Sequence, residues 1–366
     1  MLIGIDGNEA NRPDRVGVNQ YAHGLLWGLW RFSTTHRFTI YLSGLPLPSL
    51  PPEKENWHYR VIGPPKLWTQ WRLPLDLFTH LPRPDIFFSP SHYAPRASPM
   101  PTVVSVMDLG FINAREQFNR KDYLQLTNWT AYSVKNARGI IAISNATKKD
   151  IQQHYALPAG KIVVIYPGYD QVRFHPRSPG EVRKVLKKYG IEIPYLLFLG
   201  SLKPNKNVER IIEAFSLLPK KQKISLVIAG KKAWLYQSIF EKASALRLGK
   251  KVIFTGFFPE EDLPYLVSGA AAFVSPSLFE GFGIPVVESL GSGVPVVVSA
   301  VASLPEVAGG VGIYVDPSRV EDIARGIRAA LSQKPSKNRR LYLNQAQKFR
   351  WEKSAADLIA ALEKFV

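Results

Sequence analysis

Two glutamates stand eight residues apart in the apolar, glycine-rich stretch EGFGIPVVESLGSGVP, residues 280–295. Acidic side chains are rarely buried without a partner, so Glu280 and Glu288 need an explanation. A strand is expected at 271–275, and Pro285 suits the start of a helix, which places Glu280 on the connecting loop and Glu288 on the first helical turn. Helix starts favour phosphate, and carboxylates accept pairs of sugar hydroxyls. The stretch therefore fits a nucleotide sugar.

Both glutamates also have a purely structural explanation. A carboxylate near a helix start is stabilised by the helix dipole and by backbone N–H groups, which would account for Glu288. Glu280 is equally compatible with an exposed loop position. Gly281 and Gly283 permit unusual backbone angles as well as close approach of a ligand. The spacing alone leaves the structural and the functional interpretation open.

Short apolar segments alternate with amphipathic segments along nearly the whole chain. LIGID at 2–6 predicts a buried strand, and VNQYAHGLLWGLWRF at 18–32 predicts an amphipathic helix. Apolar strands separated by helices indicate an α/β fold with parallel sheets. The pattern restarts near 190 after a proline-containing stretch at 171–190, so two domains are expected. Because ligands bind beyond the carboxyl ends of such strands, facing domains would hold a site in the cleft between them.

Composition and charge narrow the possible classes of protein. The chain is 46% apolar and 21% charged, has no cysteine and carries a net charge of +18. This composition is typical of a soluble globular protein and excludes disulfides and thiolate metal sites. No signal peptide and no transmembrane helix are expected, so a cytoplasmic location is predicted.

The excess positive charge has three possible partners: nucleic acid, an anionic membrane surface and phosphorylated small molecules. The lysines are scattered and no RNA-binding aromatic motif accompanies them, so nucleic acid is the least favoured of the three. The segment PPKLWTQWRLPLDLF, residues 64–78, offers aromatic residues that suit a membrane interface, or that pack within a loop of their own. Peripheral contact with the inner face of the plasma membrane is expected.

Several segments in the same order resemble retaining glycosyltransferase family 4, and in particular bacterial mannosyltransferases of surface-polysaccharide assembly. SPSLFEGFGIPVVESLGSGVPVVVSAVASLPEVAGGVGIYVDP is similar to the family's donor site with its E-x7-E motif, and YLLFLGSLKPNKNVERIIEAF is similar to the start of its donor domain. The resemblance implies the GT-B fold, an α/β arrangement of two Rossmann-like domains facing across a cleft. It implies an acceptor-side domain at 1–172 with a crossing helix at 351–366, and a donor domain at 173–350.

The resemblance also implies roles for individual residues. Glu280 would hold hydroxyls of the transferred sugar at the reacting centre, and Glu288 would bind the ribose. Lys206 would neutralise the departing diphosphate, and Asp108 would lie on the acceptor side. Without the resemblance, a solvated lysine is the favoured interpretation of Lys206, and Asp108 equally suits a helix or turn cap. The remaining residues expected at the nucleotide sugar are Gly17, Ser201, Asn205, Phe257, Phe258, Gly281, Phe282, Gly283 and Ile284, of which Gly17 also suits an ordinary turn and the two phenylalanines also suit core packing.

A few positions depart from the family pattern. Members often carry an arginine near the lysine that binds the diphosphate, at one of two positions. Those positions are Asn205 and Ser201 here, so the diphosphate contact is weaker or is made by Lys203 instead. A histidine that often precedes the aspartate of MDL is Met107 here, with His92 as a possible replacement.

The reaction that the resemblance implies is transfer of a hexose from a nucleotide sugar to the hydroxyl of a glycan or lipid-linked acceptor, with retained configuration. GDP-mannose is the favoured donor, and UDP-glucose or another UDP-sugar follows. No metal and no other cofactor are expected, because no D-x-D pair is suitably placed. A nucleotide-sugar 2-epimerase is disfavoured because the seven histidines form no cluster in the sequence. A non-catalytic binder of glycan or nucleic acid is the remaining alternative.

Overall fold

The protein is described from a computed structural model covering residues 1–15, 17–113, 115, 120–219, 221–233, 236–333 and 335–366. The chain forms two compact units. The first contains Met1–Gly168 and Arg350–Val366, and the second contains Tyr169–Phe349.

The first unit is built on a seven-stranded sheet in the order β3-β2-β1-β4-β5-β6-β7, in which every pair is parallel. Its central strands are apolar and fully buried, as expected for a sheet covered by helices on both faces. The strands are β1 (Leu2–Asp6), β2 (Arg37–Leu42), β3 (Trp57–Val61), β4 (Ile86–Ser89), β5 (Thr102–Val106), β6 (Gly139–Ala142) and β7 (Ile162–Val164). The helices are α1 (Val18–Arg31), α2 (Leu73–Thr79), α3 (Gly110–Asn113), α4 (Arg120–Asn136), α5 (Asn145–Tyr155) and, from the end of the chain, α14 (Trp351–Phe365).

The last helix packs on the first helix of this unit. Trp351, at the start of α14, lies directly over Gly24 of α1, where an added Cβ would stand 2.3 Å from the indole ring. Tyr21 contacts the same indole, with 6.1 Å between the ring centroids. A residue larger than glycine at position 24 would therefore push the two helices apart.

The second unit is built on a six-stranded parallel sheet in the order β10-β9-β8-β11-β12-β13. Its strands are β8 (Tyr195–Leu199), β9 (Ser225–Ala229), β10 (Val252–Gly256), β11 (Ala272–Ser275), β12 (Val296–Ser299) and β13 (Ile313–Val315). The helices are α6 (Pro179–Lys187), α7 (Val208–Ser216), α8 (Gln237–Ala245), α9 (Leu263–Ser268), α10 (Ile284–Gly291), α11 (Leu304–Ala308), α12 (Val320–Ser332) and α13 (Pro335–Ala346).

The order of the second sheet reverses between β8 and β11. Strands β9 and β10 continue on the β8 side, whereas β12 and β13 continue on the β11 side. At such a reversal the loops that leave the two central strands diverge and open a crevice beyond their carboxyl ends. The loops after β8 and β11 are the ones that carry Lys206 and Glu280.

The prediction of an α/β fold with two parallel sheets is confirmed. The helix expected at 18–32 is α1, which ends one residue earlier at Arg31. Among the described residues, no helix combines the length and the apolar character needed to cross a membrane.

Candidate functional site

Lys206 and Glu280 form an ion pair in the second unit. Lys206 closes the short 3-10 turn Pro204–Lys206 after β8, and Glu280 lies on the loop between β11 and α10. The Lys206 Nζ donates a hydrogen bond to Oε2 of Glu280. The two side chains are only 17% and 15% exposed, so Glu280 is not an exposed loop residue. The structure thus brings together two of the three residues predicted to be catalytic.

The loop that carries Lys206 is tied to the loop that carries Glu280 by two asparagines. Asn207 is buried in a left-handed conformation (φ 61°, ψ 32°), and its side-chain amide donates to the carbonyls of Pro276 at 2.9 Å and Pro317 at 2.7 Å. The carbonyl of Asn205 accepts a hydrogen bond at 2.8 Å from the backbone N–H of Leu278. These bonds determine how close Lys206 lies to Glu280.

A buried serine fixes the backbone on either side of Gly281. The hydroxyl of Ser303, which precedes α11, lies 2.9 Å from the carbonyl of Glu280 and 3.0 Å from that of Phe282. The side chain of Phe282 packs into the core of the unit against Phe349, so any contact of Phe282 with a ligand would be through its backbone. The sequence predictions included neither Ser303 nor Asn207, because a polar residue in a loop does not reveal which distant carbonyls it reaches.

Gly283 begins α10 with a backbone conformation that favours glycine. Its φ is +103°, and an added Cβ would lie 3.0 Å from Cδ2 of Leu304. The helix starts at Ile284 with Pro285 in its first turn. The first N–H groups of a helix have no acceptor within the helix, so this start can receive an anion.

Glu288 is more deeply buried than its spacing predicts. Because α10 starts at Ile284, Glu288 lies on the second turn, and the prediction that places it on the first turn is wrong. Its side chain is 6% exposed, and its carboxylate has no hydrogen-bond or ion-pair partner among the residues that the structure describes. Stabilisation by the helix start therefore does not explain this glutamate.

The surroundings of Glu288 shift the titration of its carboxyl group toward neutral pH. Burial raises the pKa of Glu288 to about 7, because removal from water disfavours the charged form. Arg173 lowers this pKa, whereas Asp170 and Glu260 raise it further. Arg173 itself is drawn to Glu260, with 3.7 Å between Nη1 and Oε2. A buried carboxyl group without a partner is suited to a ligand that brings hydroxyl donors.

The structure separates the two phenylalanines predicted beside the nucleobase. Phe258 is buried and packs against Tyr189, with 4.2 Å between ring centroids. Phe257 is 45% exposed, and Nζ of Lys231 lies 4.6 Å from the centre of its ring. Of the two rings, only that of Phe257 is accessible to a base.

The other predicted contacts in the second unit lie around the loop after β8. Ser201 is partly buried, and the amide oxygen of Asn205 is withdrawn from solvent without a hydrogen-bond partner among the described residues. Gly281, which follows Glu280, is also buried. An unsatisfied buried oxygen beside Lys206 is costly unless a donor reaches it.

The first unit holds the other predicted residues, beyond the carboxyl ends of its own strands. Asp108 follows β5, and its Oδ1 accepts a hydrogen bond at 2.9 Å from the backbone N–H of Gly110, so it does cap a turn. Burial lowers the pKa of His92, and the charge of Asp108 opposes this effect. Gly17 opens α1 with φ +54°, and an added Cβ there would meet open space.

Asp6, at the end of β1, was not predicted as a site residue. Its Oδ1 accepts hydrogen bonds from the backbone and the side chain of Asn8, at 3.0 and 2.9 Å. Burial raises its pKa to about 7 in spite of these bonds. Within the described ranges, no cluster of three His, Cys, Asp or Glu side chains is suited to hold a metal ion.

Comparisons with known proteins agree with this geometry. The family description "Glycosyl transferases group 1" matches residues 180–349, and "Glycosyltransferase Family 4" matches residues 16–173. The O-antigen chain mannosyltransferase B of Escherichia coli is 31% identical over 282 residues, which are 75% of this chain and 73% of that protein. This chain belongs to glycosyltransferase family 4. The resemblance seen in the sequence is thereby confirmed, and the chain is a glycosyltransferase.

Other relatives of the glycosyltransferase are matched over smaller shares of their length. Mannosylfructose-phosphate synthase of Agrobacterium fabrum is 30% identical over 242 residues, 61% of this chain and 52% of that protein. The serotype-specific mannosyltransferase WbdA of E. coli is 29% identical over 250 residues, 65% of this chain. The match spans only 31% of WbdA.

Solved structures confirm the GT-B fold of the glycosyltransferase. Sucrose-phosphate synthase of Thermosynechococcus elongatus aligns with a TM-score of 0.76 and 18% identity over 99% of this chain and 98% of that one. HepE of Anabaena, solved with UDP and glucose, aligns with a TM-score of 0.74 and 18% identity over 99% of each chain. At these identities the similarity establishes the fold alone.

Proposed function

We propose that this glycosyltransferase moves mannose from GDP-mannose to the hydroxyl of a glycan or lipid-linked acceptor, with retained anomeric configuration and without a metal ion. The observation that carries the proposal is the Lys206–Glu280 pair, with the partnerless carboxyl group of Glu288 further along the same loop and helix. Lys206 and the start of α10 match the diphosphate of such a donor, Glu280 matches its transferred sugar, and the buried carboxyl group of Glu288 matches its ribose.

Binding of the donor would break the ion pair between Lys206 and Glu280. A diphosphate carries more negative charge than a carboxylate, so it would take over Lys206 and release Glu280 toward the sugar hydroxyls. The N–H groups at the start of α10 would face the same phosphates. Glu288 would accept the ribose hydroxyls, and the exposed ring of Phe257 would lie against the base.

In the proposed transfer, the bond between the anomeric carbon and the phosphate oxygen breaks and its electron pair leaves with the nucleoside diphosphate. The acceptor oxygen bonds to the same face of the anomeric carbon, and its proton passes to the departing phosphate. Lys206 stabilises the growing negative charge, whereas Glu280 stabilises positive charge on the sugar and forms no bond to it. Asp108 and His92 are the groups that we assign to the acceptor side.

The relatives support mannose as the sugar. Mannosyltransferase B and WbdA of E. coli and RfbU of Salmonella typhimurium are all described as mannosyltransferases, with identities to this chain of 31%, 29% and 27%. A UDP-sugar is the second candidate donor, because the structural neighbour HepE binds UDP and glucose.

A thermal-shift comparison of GDP, UDP, GDP-mannose and UDP-glucose tests the donor, because a ligand that binds only the folded state raises its melting temperature. We expect GDP and GDP-mannose to raise the melting temperature more than UDP and UDP-glucose do. A larger shift with UDP and UDP-glucose would indicate a UDP-sugar as the donor instead. Release of nucleotide from the stabilising donor tests catalysis, and its absence would leave a non-catalytic binder.

We further propose that the acceptor is met at an anionic membrane surface, to which the protein binds peripherally. The net charge of +18 supports this contact, because anionic lipids attract Lys and Arg side chains that lie near their surface.

A further inference from the structure

A helical segment at the edge of the first unit is apolar on two opposite faces. The π-helical turn Trp68–Arg72 runs directly into α2. On the inner face Trp68, Leu73 and Leu77 are buried, where they form a core cluster with Tyr41 and Phe87. These inner residues account for the stability of the segment and leave its outer face unexplained.

The outer face of this segment exposes an apolar surface. Trp71, Leu75 and Phe78 follow one another at helical spacing and are 71%, 64% and 45% exposed. Leu67 and Leu81 flank them and are also exposed. Single exposed apolar side chains are ordinary, but a cluster of this kind marks a surface for a partner. We refer to Leu67, Trp71, Leu75, Phe78 and Leu81 as the apolar face.

A basic cavity lies next to the apolar face and shares Phe78 with it. The cavity has a volume of about 930 Å³ and lies at the amino-terminal edge of the sheet, where Thr102 begins β5. Asp108 follows the opposite end of the same strand, so the cavity is distinct from the acceptor-side residues. Buried Ala137 and Phe365 contribute apolar lining. Its cationic lining residues are Arg96, Arg138, Lys161 and Lys364.

The positive charge of this region is not compensated. No Asp or Glu is among the described residues that line the cavity, and none of its four cations forms an ion pair with a carboxylate in the described part of the chain. Between residues 62 and 84 the one acidic residue is Asp76, which is held by Arg60 with 2.6 Å between Nε and Oδ2. Like charges gathered without acids are stabilised by an anionic ligand.

We propose that the apolar face and the basic cavity together dock the first unit on a bilayer that contains anionic phospholipid. The headgroup phosphate of a lipid would enter the basic cavity, where guanidinium and ammonium groups donate to its oxygens. Trp71 and its apolar neighbours would enter the interface, which tryptophan favours because its ring is apolar and its N–H remains hydrated. This inference rests on the peripheral contact proposed above and gives that contact a location. It is independent of the chemistry at Lys206 and Glu280.

Co-sedimentation with vesicles tests the docking surface. We expect the full chain to bind mixed phosphatidylcholine and phosphatidylglycerol vesicles, to bind pure phosphatidylcholine vesicles much less, and to be released by salt. The double variant Arg138→Gln/Lys161→Gln should lower partitioning by about tenfold or more, since each cation near an anionic surface contributes about 1 kcal/mol. Trp71→Ser/Leu75→Ser should also lower partitioning, and because both side chains project into solvent its melting temperature should stay close to that of the wild type.

The matched control is Lys250→Gln/Lys251→Gln, which removes the same charge from an exposed part of the second unit. It should retain binding within about twofold, on the same charge argument. An equal loss in the control, or no binding of the wild type to either kind of vesicle, would overturn the proposal. Stabilisation by millimolar phosphate without vesicle binding would also overturn it and would make the cavity a site for a free anion. Nucleotide release from a soluble donor, measured on every variant, separates this result from a failure of the transferase proposal.

Discussion

Lys206 and Glu280 are 74 residues apart in the sequence, yet their side chains form one ion pair that is largely withdrawn from water. The pair lies where the strand order of the second sheet reverses, so each partner comes from a different central strand. In the proposed function, this ion pair holds Lys206 in place for the diphosphate and keeps Glu280 close to the transferred sugar.

Removal of Glu280 and removal of Lys206 should affect the reaction in different ways. Glu280→Ala should abolish transfer but leave the affinity for the nucleoside diphosphate unchanged or higher, because Lys206 is then free of its carboxylate. Lys206→Gln should lower kcat/KM by about 10²–10³-fold, the usual cost of losing one charge-stabilising donor. Steady-state kinetics and titration calorimetry measure the two effects.

The control for this pair is Lys242→Gln, which breaks a second Lys–Glu pair of the same unit, with Glu213. Its kinetics should match those of the wild type. A covalent sugar adduct on Glu280 would contradict the proposed transfer, in which Glu280 forms no bond to the sugar. Strong loss of nucleotide affinity in Glu280→Ala would contradict the assignment of Glu280 to the sugar.

Glu288→Gln should weaken nucleotide binding and stabilise the free protein at high pH. Folding raises the pKa of Glu288 from 4.5 to about 7. Below pH 4.5 the carboxyl group is protonated in both states and does not lower the free energy of unfolding. As the pH rises through 7, the buried group must ionise and the free energy of unfolding falls. The full penalty is about 3 kcal/mol. The neutral glutamine does not incur it.

Melting temperatures of wild type and Glu288→Gln should therefore nearly coincide at acidic pH and diverge toward pH 8, with the variant higher. In the wild type, nucleotide affinity should also fall as the pH drops below about 7, since the ribose hydroxyls donate to the charged form. Equal melting temperatures at every pH would show that the carboxyl is not held out of water.

Ser303→Ala should impair transfer beyond its effect on stability. Loss of the hydroxyl leaves the carbonyls of Glu280 and Phe282 without this donor and should lower the free energy of unfolding by about 1–3 kcal/mol. The loop would then hold Glu280 less firmly and lower kcat. Ser354→Ala is the matched control, because Ser354 is also buried and its hydroxyl lies 2.6 and 3.0 Å from two carbonyls of the first unit, those of Tyr166 and Arg350. It should show a comparable stability loss with near-normal kcat, and equal kcat in the two variants would assign Ser303 a purely structural role.

Gly24→Ala should loosen the last helix from the first. The added methyl group would overlap the indole of Trp351 and cost about 1–3 kcal/mol of unfolding free energy. Gly44→Ala serves as the control, because an added Cβ there meets no atom within 4 Å. Chemical denaturation followed by tryptophan fluorescence compares the two, and a similar midpoint for both would show that α14 is not held at this contact.

The alternation of apolar strands and amphipathic helices was enough to predict two parallel α/β sheets, because burial on both faces dictates that pattern locally. The E-x7-E spacing and the glycines around it pointed to the loop and helix start after β11 for the same reason. Each of these features lies within a few residues of the next, so its physical cause is visible in the chain itself.

The tertiary structure alone decided which groups meet. The resemblance placed Lys206 and Glu280 at one donor site, but only the folded chain shows that their side chains form an ion pair. Ser303 and Asn207 entered the site through bonds that span 21 to 110 residues, a separation at which sequence spacing carries no information. Adjacent Phe257 and Phe258 went to opposite environments after the left-handed turn at Gly256, and Glu288 became buried because α10 begins at Ile284. Long-range packing determines burial, and burial determines which charges and carboxyl groups are left in need of a ligand.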